Sequence, residues 1–195
     1  FDCSLEIVSK NTALMTHSYK ENPIAKKRIT RSMDSYIINL VRYYWGKAIL
    51  LAETRGTRLE PMDLGDYGSY QWHHDTKCKQ IKVMILLTDV PPEGQRMDYL
   101  PGTHTIRYYN RTKNSRFTNE SVEKYGEPIQ CCGPAGTVLI FDTNGLHRGN
   151  RINSLRRDTW TFNFTAGRFL FPVPSLHPNV IQKLSLAEKR IARVI

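Results

Sequence analysis

The chain has 195 residues, 40% of them hydrophobic, with 28 Lys and Arg against 18 Asp and Glu and a formal charge of +10. That is enough for one domain with a sizeable core, and it excludes a disordered chain. The most apolar helical stretch, Ile37 to Leu51, is interrupted by Arg42 and Lys47 and falls short of the ~18 apolar residues of a membrane span.

The first residue is Phe1 rather than Met, so a fragment or a processed chain is expected. Residues 1 to 31 are mixed and polar and read as an N-terminal arm. From Ser32 to about Glu53, the residues Ile37, Leu40, Val41, Tyr44, Ala48 and Leu51 recur at helical spacing. This predicts a helix capped by Ser32 or Asp34 and stopped by Gly56. Strand and turn signals run from Arg58 to Ile85. Ile81 to Val90 reads as a buried strand in which Ile81, Val83, Ile85 and Leu87 alternate with Lys82, Met84 and Leu86, and Pro91-Pro92-Glu93-Gly94 ends it.

Residues 105 to 130 are rich in Asn, Arg, Lys and Ser and read as a surface insertion or lid. Gly133-Pro134-Ala135-Gly136 turns into a strand over Thr137 to Asp142, and Asp142-Thr143-Asn144-Gly145 turns again before His147. Along Arg157 to Thr165, Trp160, Phe162 and Phe164 share one face and Thr159, Thr161 and Asn163 the other, so one side packs and the other can line a polar cavity. Prolines at 172, 174 and 178 break the chain before a basic amphipathic helix over Leu184 to Ile195. A helix followed by many short strands predicts a mainly β fold with supporting helices, a sandwich or jelly roll.

The chemistry is concentrated in Tyr70-Gln71-Trp72-His73-His74-Asp75-Thr76. In a strand, residues i and i+2 share a face, so His73 and Asp75 converge while His74 points away. With His147 as third ligand they make a two-histidine, one-carboxylate set, which suits non-heme Fe(II) and leaves positions open for oxygen and a co-substrate. Arg157 or its neighbour Arg156, at the head of the last strand, could grip the far end of a dicarboxylate, with Thr159 adding a hydroxyl. His104 in Leu100-Pro101-Gly102-Thr103-His104 reads as closing a turn, and Trp72, His74 and Trp160 as packing. Tyr67 and Tyr70 are candidates for the cavity mouth.

The ordered set Trp72-His73-His74-Asp75, Glu93-Gly94 with Leu100-Pro101-Gly102-Thr103-His104, His147-Arg148-Gly149 and Arg157 resembles the phytanoyl-CoA dioxygenase (PhyH) family of Fe(II)/2-oxoglutarate oxygenases. The resemblance spans roughly residues 60 to 168. It implies a double-stranded β-helix, a cupin-like jelly roll, with its core over 58 to 168 of a single domain covering 1 to 195. It also implies His73, Asp75 and His147 as the catalytic iron ligands and Arg157 as the anchor of the 2-oxoglutarate C5 carboxylate. The spacing from His147 to Arg157 is one residue shorter than usual in the family, which leaves Arg156 open. Arg157 shares its face with Thr159 and Thr161 and is the expected anchor. Gly149 stands where many relatives have a small hydroxylic residue. Halogenating relatives replace the carboxylate by a small residue, so Asp75 implies hydroxylation or a related oxidation.

The expected protein is therefore a dioxygenase using Fe(II), 2-oxoglutarate and O2 to oxidise a small to medium organic substrate. An anionic one would be drawn by Arg107, Arg111, Lys113, Arg116 and Arg148. A nucleic-acid-directed oxygenase is the less favoured alternative, and a catalytically silent jelly-roll binding module the other. Cys3, Cys78, Cys131 and Cys132 show no disulfide or C-x-x-C pattern and read as free thiols. With no membrane span, a soluble and cytoplasmic protein is expected.

Overall fold

The computed structural model describes residues 4–9, 12–16, 35–46, 48–61, 68–75, 80–105, 116–150, 155–166, 176 and 178–194. The strands are β1 (Ser4–Ser9), β2 (Thr12–Thr16), β3 (Ile49–Leu59), β4 (Trp72–His73), β5 (Gln80–Leu86), β6 (Met97–Tyr99), β7 (Arg116–Phe117), β8 (Ile129–Cys131), β9 (Val138–Asp142), β10 (His147–Gly149) and β11 (Arg157–Ala166). They form two antiparallel sheets, a larger one in the order β1-β2-β3-β11-β5-β9 and a smaller one in the order β7-β4-β10-β6-β8. This is the jelly roll: chain neighbours such as β10 and β11 lie in opposite sheets, so strands distant in sequence meet.

The larger sheet is polar on one face and apolar on the other. On its outer face, Ile49, Leu51, Ile81, Val83, Ile85, Phe162 and Phe164 pack against Ile38 and Val41 of helix α1 (Ser35–Trp45). The same cluster takes in Leu184, Ile191 and Ala192 at the C-terminal end. A second cluster joins Met84, Leu86 and Phe141 to Met97 across the inside of the two sheets. A third, of Trp72, Leu100, Val122 and Leu146, lies behind the smaller sheet under the short helix α2 (Asn119–Val122).

Four expectations from the sequence are corrected. The helix ends at Trp45 rather than running to Glu53, because Gly46 takes φ +59° and returns its N–H to the Arg42 and Tyr43 carbonyls. Ile49 onward is strand β3, held residue by residue against β11. A short apolar run such as Ile49 to Ala52 fits either period, and the pairing partner decides. Second, part of the presumed N-terminal arm forms the β1–β2 hairpin, and β2 pairs with β3. Third, of the expected surface insertion, residues 116–130 carry β7, α2 and most of β8, and both strands belong to the smaller sheet. The basic residues 107, 111 and 113 lie outside the described residues, as do Tyr67, Cys3 and Cys78. Fourth, the C-terminal helix is confined to Leu186–Ile191 (α4), and a helix not expected from the sequence, α3 (Pro178–Lys183), precedes it. Pro178 opens the first, a position whose N–H needs no partner, and Ser185 starts the second through a capping box with Glu188.

Candidate metal centre

β4 is only two residues long, and it is placed by its neighbours. His73 pairs with His147 on β10 and with Arg116 on β7. The Asp75 N–H donates to the Thr143 carbonyl (3.0 Å), and the Thr143 N–H donates to the Gln80 carbonyl (3.0 Å). The His-x-Asp segment is thereby tied to the turn that delivers His147. That turn is braced from below by Thr103, buried in the Leu100-Pro101-Gly102-Thr103-His104 motif. Its Oγ1 donates to the Leu100 carbonyl (2.6 Å) and accepts from the Leu146 N–H (2.8 Å). Gly145 is required here, since a Cβ would lie 2.1 Å from the Tyr99 hydroxyl.

His73, Asp75 and His147 each offer a ligand atom, all within 4.8 Å of one another. The Asp75 Oδ1 lies 3.7 Å from His73 Nε2 and 3.5 Å from His147 Nε2. Each imidazole donates its Nδ1–H to a backbone carbonyl, His73 to Gln71 (2.8 Å) and His147 to Gly145 (2.9 Å). A carbonyl can only accept, so in the neutral ring each Nε2 is left with a bare lone pair aimed inward. Burial, then the nearby His147, pushes His73 down to about 3, which keeps it neutral through the physiological range. Burial would raise the Asp75 carboxyl, but the Lys82 ammonium and His147 outweigh it and hold the group well below its ordinary value. Three lone-pair donors facing one another repel, and a cation among them removes the repulsion. The donor set thus fits a divalent metal.

These groups line a cavity of about 280 Å³ between the sheets, together with Arg55, Thr57, Lys82, Met84, Arg157, Thr159 and Thr161. Arg157 enters it from β11. Its Nη1 donates to the Gln95 carbonyl (2.6 Å), while its Nε is buried with no hydrogen-bond partner. Burial pushes the guanidinium down to about 10, partly offset by Tyr70. A buried, unsatisfied N–H on a cation fits a carboxylate ligand. Arg156 faces the other way, about half exposed, with Nε 3.6 Å from Asp158. Thr159 is buried beside Arg157 on the cavity wall.

Other sequence candidates lie elsewhere. His104 stacks obliquely near Tyr44, 6.3 Å between rings, in a groove on the outer side. His74 is buried next to Phe117, away from the cavity lining. Gly149 is in the wall, and there the Tyr70 ring takes the space of a side chain, 3.2 Å from where a Cβ would stand. Three contributors were missed. Lys82 donates to Asp75 Oδ2 at 2.8 Å. Arg55 falls on β3, in the span read as the end of a helix. Asp98 is almost fully buried and receives Arg96 (3.0 Å) and Arg148 (3.3 Å). The available signal was the charge on Lys82, on the inner face of an otherwise apolar strand.

A double-stranded β-helix with a His-x-Asp pair and a distal histidine at one end of its cavity defines the class of cupin-type, metal-binding oxygenase folds. A sequence model of the phytanoyl-CoA dioxygenase (PhyH) family matches residues 9–158, and the chain belongs to that family. Among solved structures it is similar to EctD from S. alaskensis with bound Fe (18% identity, 89% of this chain and 64% of that one, TM-score 0.61). It is also similar to HygX from Streptomyces hygroscopicus with nickel, 2-oxoglutarate and hygromycin B bound (20%, 85% and 75%, 0.54). A third is the non-heme, α-ketoglutarate-dependent epimerase SnoN from nogalamycin biosynthesis (15%, 80% and 63%, 0.56). The chain thus spans less than two thirds of the length of SnoN and EctD. No curated protein sequence matches it significantly.

Proposed function

We propose that the protein is an Fe(II)- and 2-oxoglutarate-dependent dioxygenase that oxidises a small to medium, anionic organic substrate and releases succinate and CO2. The observation that carries this reading is the convergence of two Nε2 lone pairs and one carboxylate oxygen, both imidazoles locked in the required tautomer by backbone carbonyls. His73, Asp75 and His147 hold the iron, and Arg157 with the Thr159 hydroxyl holds the C5 carboxylate of 2-oxoglutarate. Bound together, iron and co-substrate supply the oxidising power by coupling O2 reduction to decarboxylation.

The chain's own share is positional. Asp75 presents Oδ1 to the centre because Lys82 occupies Oδ2. Arg157 orients the co-substrate by satisfying its own orphaned Nε. The apolar inner cluster of Met84, Phe141 and Met97 limits water beside the reacting carbon. The outer cleft of about 510 Å³, which shares Tyr70, Arg148 and Gly149 with the inner cavity, gives a substrate its way in.

A small molecule is preferred to nucleic acid. Among the described residues, the aromatic–cation platform in that cleft, Trp72 under Arg148 (4.5 Å), is already closed on itself through Asn119 and Asp98.

The test is succinate formation by protein loaded anaerobically with Fe(II) and then given 2-oxoglutarate and oxygen, with iron and co-substrate binding read in the same samples. Turnover above background is expected in the parent and lost in Asp75→Ala and His147→Ala. A parent that binds neither iron nor 2-oxoglutarate would sink the enzyme reading in favour of a silent binding module.

A further inference from the structure

The inner cavity contains more positive charge than the proposed chemistry consumes. A divalent metal is matched by Asp75 and by the chelating end of the co-substrate, and Arg157 by the co-substrate's other carboxylate. Arg148 is taken by the buried Asp98 and by Asn119. Lys82 and Arg55 remain. In the protein alone Lys82 is balanced by Asp75 (2.8 Å, Lys side chain 12% exposed), but a metal on Oδ1 withdraws most of that carboxylate's charge. The Phe141 face lies 5.8 Å from its ammonium, and Glu53 stands across β11 at the same register, its carboxylate engaged by Asn163 and Arg55. Arg55 has a buried Nε with no hydrogen-bond partner, and its nearest acid, Glu53, stands 3.6 Å from Nη1 with its other oxygen held by Asn163 (2.6 Å).

The register places these two cations together. β3 and β5 flank β11 on either side, about 10 Å apart at the spacing of paired strands. Arg55 stands opposite Thr161 and Lys82 opposite Asn163, the next inward position along the same strand. Two long side chains from either side can meet over that point. Arg157 begins the strand four residues before Thr161, ~13 Å away at the rise of an extended chain. The Lys82–Arg55 pair is therefore separate from the co-substrate anchor and on the side of the cavity where Asp75 lies. Once a metal shares Asp75, Lys82 is left short of counter-charge, while Arg55 keeps Glu53 at 3.6 Å but an orphaned, buried Nε; an anionic ligand between them satisfies both.

We infer that Lys82 and Arg55 form an oxyanion subsite that takes a carboxylate or phosphate of the substrate and sets the oxidised carbon beside the metal. This rests on the metal and co-substrate reading above. Lys82 gives a point charge and three donors, and Arg55 a planar fork, a combination that suits either oxyanion. The two groups act as binding and positioning residues, with no proton or electron transferred through them.

The test uses the full chain loaded with Ni(II), which blocks turnover, and saturated with 2-oxoglutarate. Sodium acetate and sodium phosphate are titrated separately by calorimetry. The parent should bind at least one of them, and the tighter of the two separates a carboxylate-bearing from a phosphate-bearing substrate. Arg55→Gln and Lys82→Met should each weaken that binding by about tenfold or more. Arg190→Gln, an exposed cation on α4 outside the cavity lining, should change it by less than about twofold. Thermal unfolding of each variant checks folding, and Arg55→Gln, on a half-exposed side chain, keeps the test open if Lys82→Met unfolds.

Anion binding that is absent in the parent, indifferent to both inner substitutions, or accompanied by release of 2-oxoglutarate overturns the subsite alone. Failure of the parent to bind Ni(II) or 2-oxoglutarate overturns the reading beneath it as well.

Discussion

Along β11, the residues that point outward and those that point inward are almost all buried, but what surrounds them differs. Outward, Phe162 and Phe164 are wholly enclosed by the helices and by β3 and β5, with Trp160 donating its indole N–H to Thr54 (2.8 Å). Inward, Arg157, Thr159 and Thr161 face a cavity, and the Arg157 Nε and Asn163 Oδ1 have no hydrogen-bond partner. One face therefore holds the fold together, and the other leaves polar groups poised for a ligand at some expense of stability. A single strand can do both because its side chains alternate with period two.

Substitutions on opposite faces of that strand should separate stability from binding. Phe162→Ala should cost about 3–5 kcal/mol of stability, through lost transfer energy and the cavity left behind. Urea unfolding would measure it, with 2-oxoglutarate affinity of the still-folded fraction unchanged. Arg157→Gln reverses the pattern. Losing charge-assisted bonds worth about 1.5–3 kcal/mol should weaken 2-oxoglutarate roughly ten- to a hundredfold. The melting temperature should hold or rise, because a buried cation with an orphaned donor is gone. A variant that melts much earlier than the parent would mean that the inner face is structural too.

Acid sharpens the same contrast through the triad. His73 lies below its ordinary 6.5, at about 3, so the stability it contributes is complete above pH 6.5 and is lost as the pH falls toward 3. Asp75, also held low, loses its share in the same direction but only further into acid. Metal-free protein should thus lose on the order of 2 kcal/mol between pH 7 and 5. His73→Phe should flatten that slope. A slope unchanged in His73→Phe would assign the acid sensitivity elsewhere. The smallest effect is expected of Thr159→Val, which removes one neutral hydroxyl. About 1 kcal/mol, roughly fivefold in 2-oxoglutarate affinity with no change in metal affinity, is the outcome to look for by calorimetry.

Much of this was legible in the sequence because it depends on local period and residue chemistry. The alternation of β11 gave both of its faces, the i, i+2 spacing put His73 and Asp75 on one side, and the turn residues after Phe141 delivered His147, although its place at the start of β10 came from the structure. A sandwich or jelly roll followed from a succession of short, turn-bounded strands, and the family resemblance implied the jelly roll. Arg157 over Arg156 followed from which of two neighbours shares a face with Thr159, and the two guanidinium groups do point in opposite directions.

What the tertiary structure decided is whatever depended on a partner far along the chain. Ile49 to Leu59 has an apolar pattern that suits a helix or a strand, and only a matching edge on β11 makes it β3. Lys82, Arg55 and Asp98 were not singled out by the sequence, since a single strand does not reveal what stands opposite its polar side. Closing two sheets over one another puts Lys82 on Asp75, Arg55 in the same chamber and Asp98 between two arginines. Periodicity is a property of neighbours in sequence, whereas charge balance is a property of neighbours in space. The sequence therefore determined the candidate ligands and the strand that carries Arg157, and the fold alone decided which charges surround them.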